Sequence, residues 1–382
     1  MGYDFDACID RRGTDSLKWG RYGEDVLPLW VADMDFRSPE PVIRALQERV
    51  AHGVFGYGME PPDLRELIVE RLQRLHNWTI SPEAILFMPG VVTGFNLAAM
   101  AVASPGQGLL LQTPVYFPML HTAENARLRC DAMELCRKEN GRYVVDYERM
   151  AETIHKDTQV FLLCNPHNPV GRVFRRDELQ RMAEICLSNG IYIISDEIHC
   201  DLVFGGQEHV SIASLAPEIA ERTITLIAPS KTYNIAGLHC SMAIIPDADL
   251  RRRFQEAYRG LINRPSVLGY TAALAAYRHG DPWLREVLHY LEDNRNLVFD
   301  FVSQEMRGVS MTRPEGTYLA WLDCRHTNLD DPHKHFLQEA GVALNDGAAF
   351  GPGGEGFVRL NFACCRSLLE RALERIKGAL PA

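Results

Sequence analysis

The sequence ITLIAPSKTYNIAGLHC, residues 224–240, begins as a short apolar run and breaks at Pro229, just before Lys231. The run predicts a buried strand. Lys231 is the only lysine between Lys156 and Lys334. A lysine at the end of a buried strand loses solvation, which lowers its pKa and allows it to form a Schiff base. The pattern fits equally well a structural lysine whose ammonium reaches solvent.

Two earlier apolar runs also end in polar residues. IYIISDEIH, residues 191–199, ends at Asp196, and LLCNPHNPVG, residues 162–171, reaches Asn165. In parallel α/β sheets, ligands bind at the carboxyl ends of the strands, so we expect these side chains to lie near Lys231. An amide for the ring hydroxyl, an acid for the pyridine nitrogen and a lysine for the Schiff base together fit pyridoxal phosphate.

NPHNPVG, SDEIH and PSK, in this order and spacing, resemble the fold-type I pyridoxal-phosphate enzymes of the aminotransferase class I/II superfamily. The resemblance covers nearly the whole chain. It implies an α/β fold with a mostly parallel seven-stranded sheet in a large domain and a small α/β domain built from both chain ends. The expected parts are residues 1–46 as the amino-terminal segment and part of the small domain, residues 47–280 as the large cofactor-binding domain, and residues 281–382 as the carboxy-terminal small domain.

The amino-terminal residues resemble one branch of this superfamily. RRGTDSLKW, residues 11–19, precedes VLPLWVADMDF, residues 26–36. Both are similar to the start of bacterial cystathionine β-lyases and related cysteine C–S lyases, including the lyase that represses the maltose regulon. The resemblance implies that Ala32 contacts the substrate. It also implies that Tyr57 of VFGYG, residues 54–58, reaches the cofactor phosphate of a neighbouring subunit in a homodimer, although a packed loop is the simpler alternative.

Small residues mark a candidate phosphate site. The strand predicted over residues 84–88 runs into PGVVTG, residues 89–94, which opens a helix. A helix start presents free N–H groups and a positive dipole end to an anion. We therefore expect the N–H groups of Val92 and Thr93, the Thr93 hydroxyl and Ser230 to hold the phosphate. Without the Asn, Asp and Lys set, a plain helix start would be preferred.

Two further candidates rest on the resemblance. Tyr116 follows the strand predicted over residues 109–112 and would stack on the pyridine ring, although such a tyrosine is more often core. Arg359 lies within FVRLNF, residues 357–362, and would fork onto the substrate α-carboxylate, a geometry that suits arginine. The alternative for Arg359 is a structural salt bridge.

Two positions depart from the pattern of most aminotransferases. His239 stands where they carry an arginine, eight positions after the Schiff-base lysine, and His199 stands where a tyrosine follows the ring aspartate. Both departures point away from a standard transaminase. His199 is kept as a candidate cofactor contact, and its role is left open.

The composition excludes several classes of function. The 382 residues carry a net charge of −10 with acids and bases mixed along the chain, so no basic block indicates nucleic acid or an anionic membrane. The first residues lack the apolar core of a signal peptide, and no run is long enough to span a bilayer. The ten cysteines include no CxxC pair, so neither a metal site nor a redox dithiol is indicated. A reduced cytosol is the expected compartment.

The resemblance to the C–S lyase branch implies β-elimination on an L-amino acid with sulfur at Cβ, such as cystathionine, catalysed by Lys231 and Asp196 with Tyr57 supplied by the partner subunit. An aminotransferase of class I/II is the alternative within the same fold. A regulatory protein that binds a transcription factor is the alternative from a different class, and it would act through a surface unrelated to Lys231.

Overall fold

A seven-stranded sheet forms the centre of the protein, whose computed structural model describes residues 2–381. Across the sheet the strands are Ile85–Met88, Ser241–Ile244, Thr223–Ile227, Tyr192–Asp196, Thr158–Cys164, Gly108–Thr113 and Arg129–Glu134. Ser241–Ile244 runs antiparallel to both of its neighbours, and the other pairings are parallel. The predicted α/β class with a mostly parallel seven-stranded sheet is confirmed.

Alternate residues of the central strands face opposite layers of helices. Leu109 and Leu111 belong to a core that includes the helix Val91–Val102, whereas Leu110 belongs to a core that includes Arg176–Ser188. This follows from the two-residue repeat of a strand. Because both faces are covered, the strands need nearly continuous apolar sequence, which is why short apolar runs predicted them well.

Helices connect and cover the strands. In chain order the α-helices are Leu17–Gly20, Glu40–Ala51, Asp63–His76, Val91–Val102, Phe117–Asn125, Tyr147–Thr153, Arg176–Ser188, Pro217–Ala220, Pro229–Thr232, Ala248–Tyr258, Val267–His279, Asp281–Glu305, Pro332–Gln338 and Arg366–Gly378. Among residues 2–381, no helix combines the length and the apolar character needed to cross a bilayer.

A second sheet is built from the carboxy-terminal part of the chain. Its four antiparallel strands are, in order, Ser310–Met311, Leu319–Asp323, Phe357–Asn361 and Asn345–Asp346. The amino-terminal strand Leu27–Pro28 pairs in parallel with Val342–Ala343 beside this sheet. Both chain ends therefore contribute to this region, and the domain boundaries at residues 46 and 280 stay predictions.

Two polar side chains at helix starts bond to partners distant in sequence. Ser38 precedes the helix Glu40–Ala51, and its hydroxyl donates to the Asn234 carbonyl at 2.9 Å. Asp281 is the first residue of the long helix, and its carboxylate accepts from Arg71 at 2.8 Å. Neither helix has a side-chain cap at its start.

Cys8 and Cys365 form a disulfide with a Cα–Cα distance of 5.4 Å, although 357 residues separate them. The fold brings the two chain ends together, and sequence spacing gives no sign of such a pair. The absence of a CxxC pair therefore does not exclude a disulfide between distant cysteines. The other eight cysteines are unpaired.

Candidate active site

Three neighbouring parallel strands of the large sheet end at one cavity. They are Thr158–Cys164, Tyr192–Asp196 and Thr223–Ile227, whose carboxyl ends lie at the same edge. The cavity has a volume of about 590 Å³. The amino-terminal segment closes it at Ala32, and the second sheet contributes Arg359. The site therefore lies between the large sheet and the region formed by both chain ends.

Lys231 lies in the first turn after its strand, with its ammonium inside the cavity. Its Nζ donates to the Ala32 carbonyl oxygen at 2.6 Å. Burial and the nearby Arg359 guanidinium lower the pKa of Lys231 to about 8, against the opposing influence of Asp33 and Asp196. About a tenth of the amine is thus free at pH 7, far more than at the ordinary lysine pKa, which gives Lys231 the properties of a nucleophile and a base.

Asp196 ends its strand within the same cavity, while the neighbouring Glu197 turns away from it. The Asp196 carboxylate accepts from the Ile198 backbone N–H at 3.1 Å, and Glu197 accepts from the hydroxyls of Ser195 and Ser211. Burial, together with the charge of Glu197, raises the pKa of Asp196 to about 7. A buried carboxylate of this kind is suited to hold a proton on a bound heterocycle.

The candidate anion site lies where the helix Val91–Val102 begins. Gly90 precedes the helix and makes no side-chain cap, so the first N–H groups are free to bind a ligand. Val92, Thr93 and Ser230 all line the cavity beside this helix end. The structure thus brings together the residues predicted to hold a phosphate, and their binding of phosphate stays a prediction.

Arg359 enters the cavity from the strand Phe357–Asn361 of the second sheet. One terminal nitrogen donates to the Asn168 side-chain oxygen at 2.9 Å, and the other donates to the Trp30 carbonyl at 3.0 Å and to Asn345. Burial lowers the pKa of Arg359 to about 10. No carboxylate pairs with it among residues 2–381, so the structural salt bridge is absent there and the guanidinium is available to an anionic ligand.

The assignment of Asn165 to the ring hydroxyl requires correction. Asn165 is fully buried, and its amide donates to the Val210 carbonyl and accepts from the Phe174 N–H. It does not line the cavity, whereas Asn168 does, through the turn that follows the strand. Asn168 is therefore the amide positioned to contact a ligand beside Arg359.

His199 is a buried neutral imidazole in the cavity wall. Its ring lies edge-on to Tyr318 with centroids 5.9 Å apart, and its Nδ1 has no hydrogen-bond partner within residues 2–381. Burial and the charges of Lys231 and Arg359 lower the pKa of His199 to about 3. The imidazole is thus uncharged at pH 7 and has a nitrogen available to a ligand.

The remaining predicted residues fall into two groups. Tyr116 and His239 both line the cavity. Tyr57 does not, and its side chain is fully exposed, at 111%, in a loop where Phe55 and Met59 are also exposed, at 55% and 76%. Within one chain, Tyr57 has no role at this site.

Comparison with known proteins agrees with this geometry. Residues 24–376 match the sequence profile of aminotransferase class I and II.

The chain belongs to this family.

Among the similar family members, the cystathionine beta-lyase PatB of Bacillus subtilis is 42% identical, covering 99% of this chain and 100% of that protein. The structure of cystalysin from Treponema denticola, which contains pyridoxal 5′-phosphate, superposes with a TM-score of 0.95 at 34% identity and covers 99% of both chains. A pyridoxal-phosphate-bound C–S lyase from Staphylococcus hominis superposes with a TM-score of 0.94 at 31% identity, covering 100% of this chain and 99% of that one.

In this member of the family, the sequence analysis did not identify Asn361, which holds the backbone around Ala32 in place. The Asn361 amide donates to the carbonyls of Val31 and Asp33, at 2.6 and 2.7 Å, and so fixes the backbone on both sides of Ala32. The sequence indicates only that Asn361, two residues after Arg359, lies on the same face of the strand. It does not indicate which backbone groups Asn361 contacts. Every residue has a backbone carbonyl, so a sequence does not show which carbonyls accept such bonds.

Proposed function

We propose that the protein is a pyridoxal-phosphate-dependent C–S lyase that cleaves S-substituted L-cysteines, with cystathionine as a candidate, to a thiol, pyruvate and ammonia. The observation that carries this proposal is the presence of Lys231, Asp196 and Arg359 in one cavity. The C–S lyases among the relatives support the reaction type.

The residues present fit the cofactor. Lys231 would hold its aldehyde carbon covalently, and Asp196 would pair with its ring nitrogen. Val92, Thr93 and Ser230 would bind the phosphate, with Tyr116 at the ring face. Asn168 and His199, each with polar atoms in the cavity wall, are positioned for the ring hydroxyl. When bound, pyridoxal phosphate supplies an electron sink for the pair released at the substrate Cα.

The protein groups would perform the proton transfers. Arg359 would bind the substrate α-carboxylate through its two terminal nitrogens, which fixes the direction of the Cα–H bond. Once the substrate amine has replaced it on the cofactor, the Lys231 amine would remove the Cα proton as a general base. The thiolate would then leave from Cβ, and hydrolysis of the three-carbon enamine that remains would give pyruvate and ammonia. Ala32 and Trp30 would exclude water from this side of the cavity.

The charges of the cavity wall favour the lyase over a dicarboxylate transaminase. Of the residues 2–381 that line the cavity, Lys231 and Arg359 are the only lysine and arginine. Both have roles at the reacting end of the substrate. A transaminase for dicarboxylic amino acids needs a further cation for the distal carboxylate, and this chain alone places none there.

The test is to incubate the purified, cofactor-loaded protein with L-cystathionine and, separately, with S-ethyl-L-cysteine, without any added 2-oxo acid. We expect thiol, pyruvate and ammonia in equal amounts. Lys231→Ala is the inactive control. If turnover instead requires 2-oxoglutarate and yields glutamate, the protein is a transaminase and the proposal is wrong.

We also propose that the active unit is a cytosolic homodimer. The exposed loop with Phe55, Tyr57 and Met59 supports a protein interface, because contiguous exposed apolar side chains are costly on a monomer. A partner subunit would place Tyr57 at the phosphate site of the other chain. Neither nucleic acid nor a membrane is proposed as a partner.

A further inference from the structure

The disulfide attaches the start of the chain to a helix terminus. Cys8 is exposed and Cys365 is buried at 2% exposure. Cys365 immediately precedes the helix Arg366–Gly378 and makes no side-chain cap hydrogen bond to it. The Ser367 hydroxyl lies 3.2 Å from the Cys8 sulfur and 3.8 Å from the Cys365 sulfur. An incoming thiolate can therefore reach the exposed Cys8 sulfur and not the buried Cys365 sulfur, so Cys365 is the sulfur that leaves.

Around the disulfide, the first residues dock on the carboxy-terminal region. Phe5 packs edge-on against Trp283, with ring centroids 5.8 Å apart, and Tyr290 donates to the Asp6 carboxylate at 2.6 Å. The Arg366 backbone N–H donates to the same tyrosine oxygen at 2.7 Å. Phe5 is buried at 7% exposure, whereas Asp6, Ala7 and Cys8 are exposed, so the covalent bond holds chiefly residues 6–8 in place.

The same segment leads to the active site. Arg11 follows Cys8 by three positions and forms ion pairs with Asp33 and Asp35, both at 2.7 Å. Asp33 adjoins Ala32, whose carbonyl accepts from Lys231. The disulfide is thus connected to the cavity by a short series of direct contacts.

We propose that the Cys8–Cys365 disulfide is a thiol-exchange site, opened at Cys8 by low-molecular-weight thiols that include the thiol released by the enzyme. The thiolate of the small thiol attacks the Cys8 sulfur, the bond between the two cysteines breaks, and Cys365 leaves as a thiolate that takes up a proton. A second thiolate attacks the mixed disulfide on Cys8, giving the small disulfide and two protein thiols. The reverse reaction with a small disulfide closes the bond again.

The part of this proposal that concerns the product rests on the proposed lyase function. A C–S lyase produces the reductant that opens its own disulfide, so the amino-terminal segment responds to accumulated product. The neighbouring Cys364 does not take part, because it is fully buried and burial raises the pKa of its thiol to about 12.

The experiment uses the holoenzyme after oxidation with glutathione disulfide. Alkylation without reduction, followed by peptide mapping, is expected to recover Cys8 and Cys365 as one linked peptide. Ethanethiol should then make both sulfurs alkylatable while Cys364 stays protected. Glutathione disulfide should form a mixed disulfide with the Cys8 thiol of Cys365→Ser and release glutathione, whereas in Cys8→Ser it should form no adduct at the buried Cys365. Hydrogen exchange of residues 2–12 should become at least about tenfold faster on reduction.

A second set of samples separates this inference from the proposed function. S-ethyl-L-cysteine, which would release ethanethiol on turnover, should open the disulfide in the wild-type protein and not in Lys231→Ala. If added ethanethiol opens the bond but the substrate does not, the exchange site stands and the lyase proposal fails. Absence of the linked peptide, or formation of the adduct at Cys365, would overturn the exchange site itself. Unchanged hydrogen exchange on reduction would overturn the response of the amino-terminal segment.

Discussion

The ammonium of Lys231 donates a hydrogen bond of 2.6 Å to the carbonyl oxygen of Ala32, a residue 199 positions earlier in the chain. The lysine comes from the large sheet and the carbonyl from the amino-terminal segment. This contact shows that Lys231 lies inside the cavity and that the amino-terminal segment covers it.

Lys231 should be the residue that binds the cofactor covalently. Purified protein should absorb visible light and lose that band after borohydride reduction, and peptide mapping should place the adduct on Lys231. Lys231→Ala should lack the band. Lys156, which is exposed, provides the matched control, so Lys156→Ala should retain it. An adduct on any other lysine would contradict the site.

Uptake of pyridoxal phosphate by the apoprotein should depend on pH through Lys231, whose pKa is about 8. Below that value the ammonium predominates and cannot attack an aldehyde, so the uptake rate should rise about tenfold per pH unit and then level off above pH 8. Arg359→Gln should move the midpoint upward, because its cation depresses the pKa. Asp33→Asn should move it downward. Stopped-flow absorbance measures the rate, and a midpoint that neither change moves would exclude Lys231.

Removing the guanidinium of Arg359 should weaken substrate binding. Hydrogen bonds to charged groups contribute about 1.5–3 kcal/mol, so Arg359→Ala should raise KM by about 10- to 150-fold. The KM of Arg359→Lys should lie between those of the wild-type protein and Arg359→Ala, because an ammonium keeps the charge but not the two-nitrogen fork. Steady-state kinetics gives KM, and the cofactor absorbance checks that the site is loaded. An unchanged KM would remove Arg359 from substrate binding.

Tyr57 should act in the partner's site. Mixing equal amounts of inactive Lys231→Ala and Tyr57→Phe chains should restore about a quarter of the wild-type sites, since each heterodimer carries one site with both native residues. Light scattering confirms that the mixed species is a dimer. Heterodimers without activity, or a fully active monomer, would show that Tyr57 does not serve a neighbouring chain.

Much of this site could be predicted from sequence because it lies at strand ends. Apolar runs located the strands, and the polar residue after each run located Asp196 and Lys231. The pattern failed at NPHNPVG, where either asparagine satisfies the same reasoning. Only the path of the turn shows that Asn165 bonds to backbone groups and that Asn168 lines the cavity.

Other features could not be predicted because they depend on contacts between distant parts of the chain. The Ala32 carbonyl contributes no side-chain signal, and the partners of Cys8 and Ser38 lie 357 and 196 positions away. A single sequence contains the residues of such pairs but no information about which ones meet. The path of the chain through the fold, and not the local sequence pattern, brings these residues together.

The pairing of Leu27–Pro28 with Val342–Ala343, and of Asn361 with Val31 and Asp33, has a consequence for the order of events on the ribosome. The segment that closes the cavity is synthesised first, yet the strands on which it rests are among the last to emerge. The large sheet can assemble during translation, since domains fold as units while the chain grows. The nascent chain would therefore carry a formed but open site, with Lys231 in contact with water, until synthesis is nearly complete.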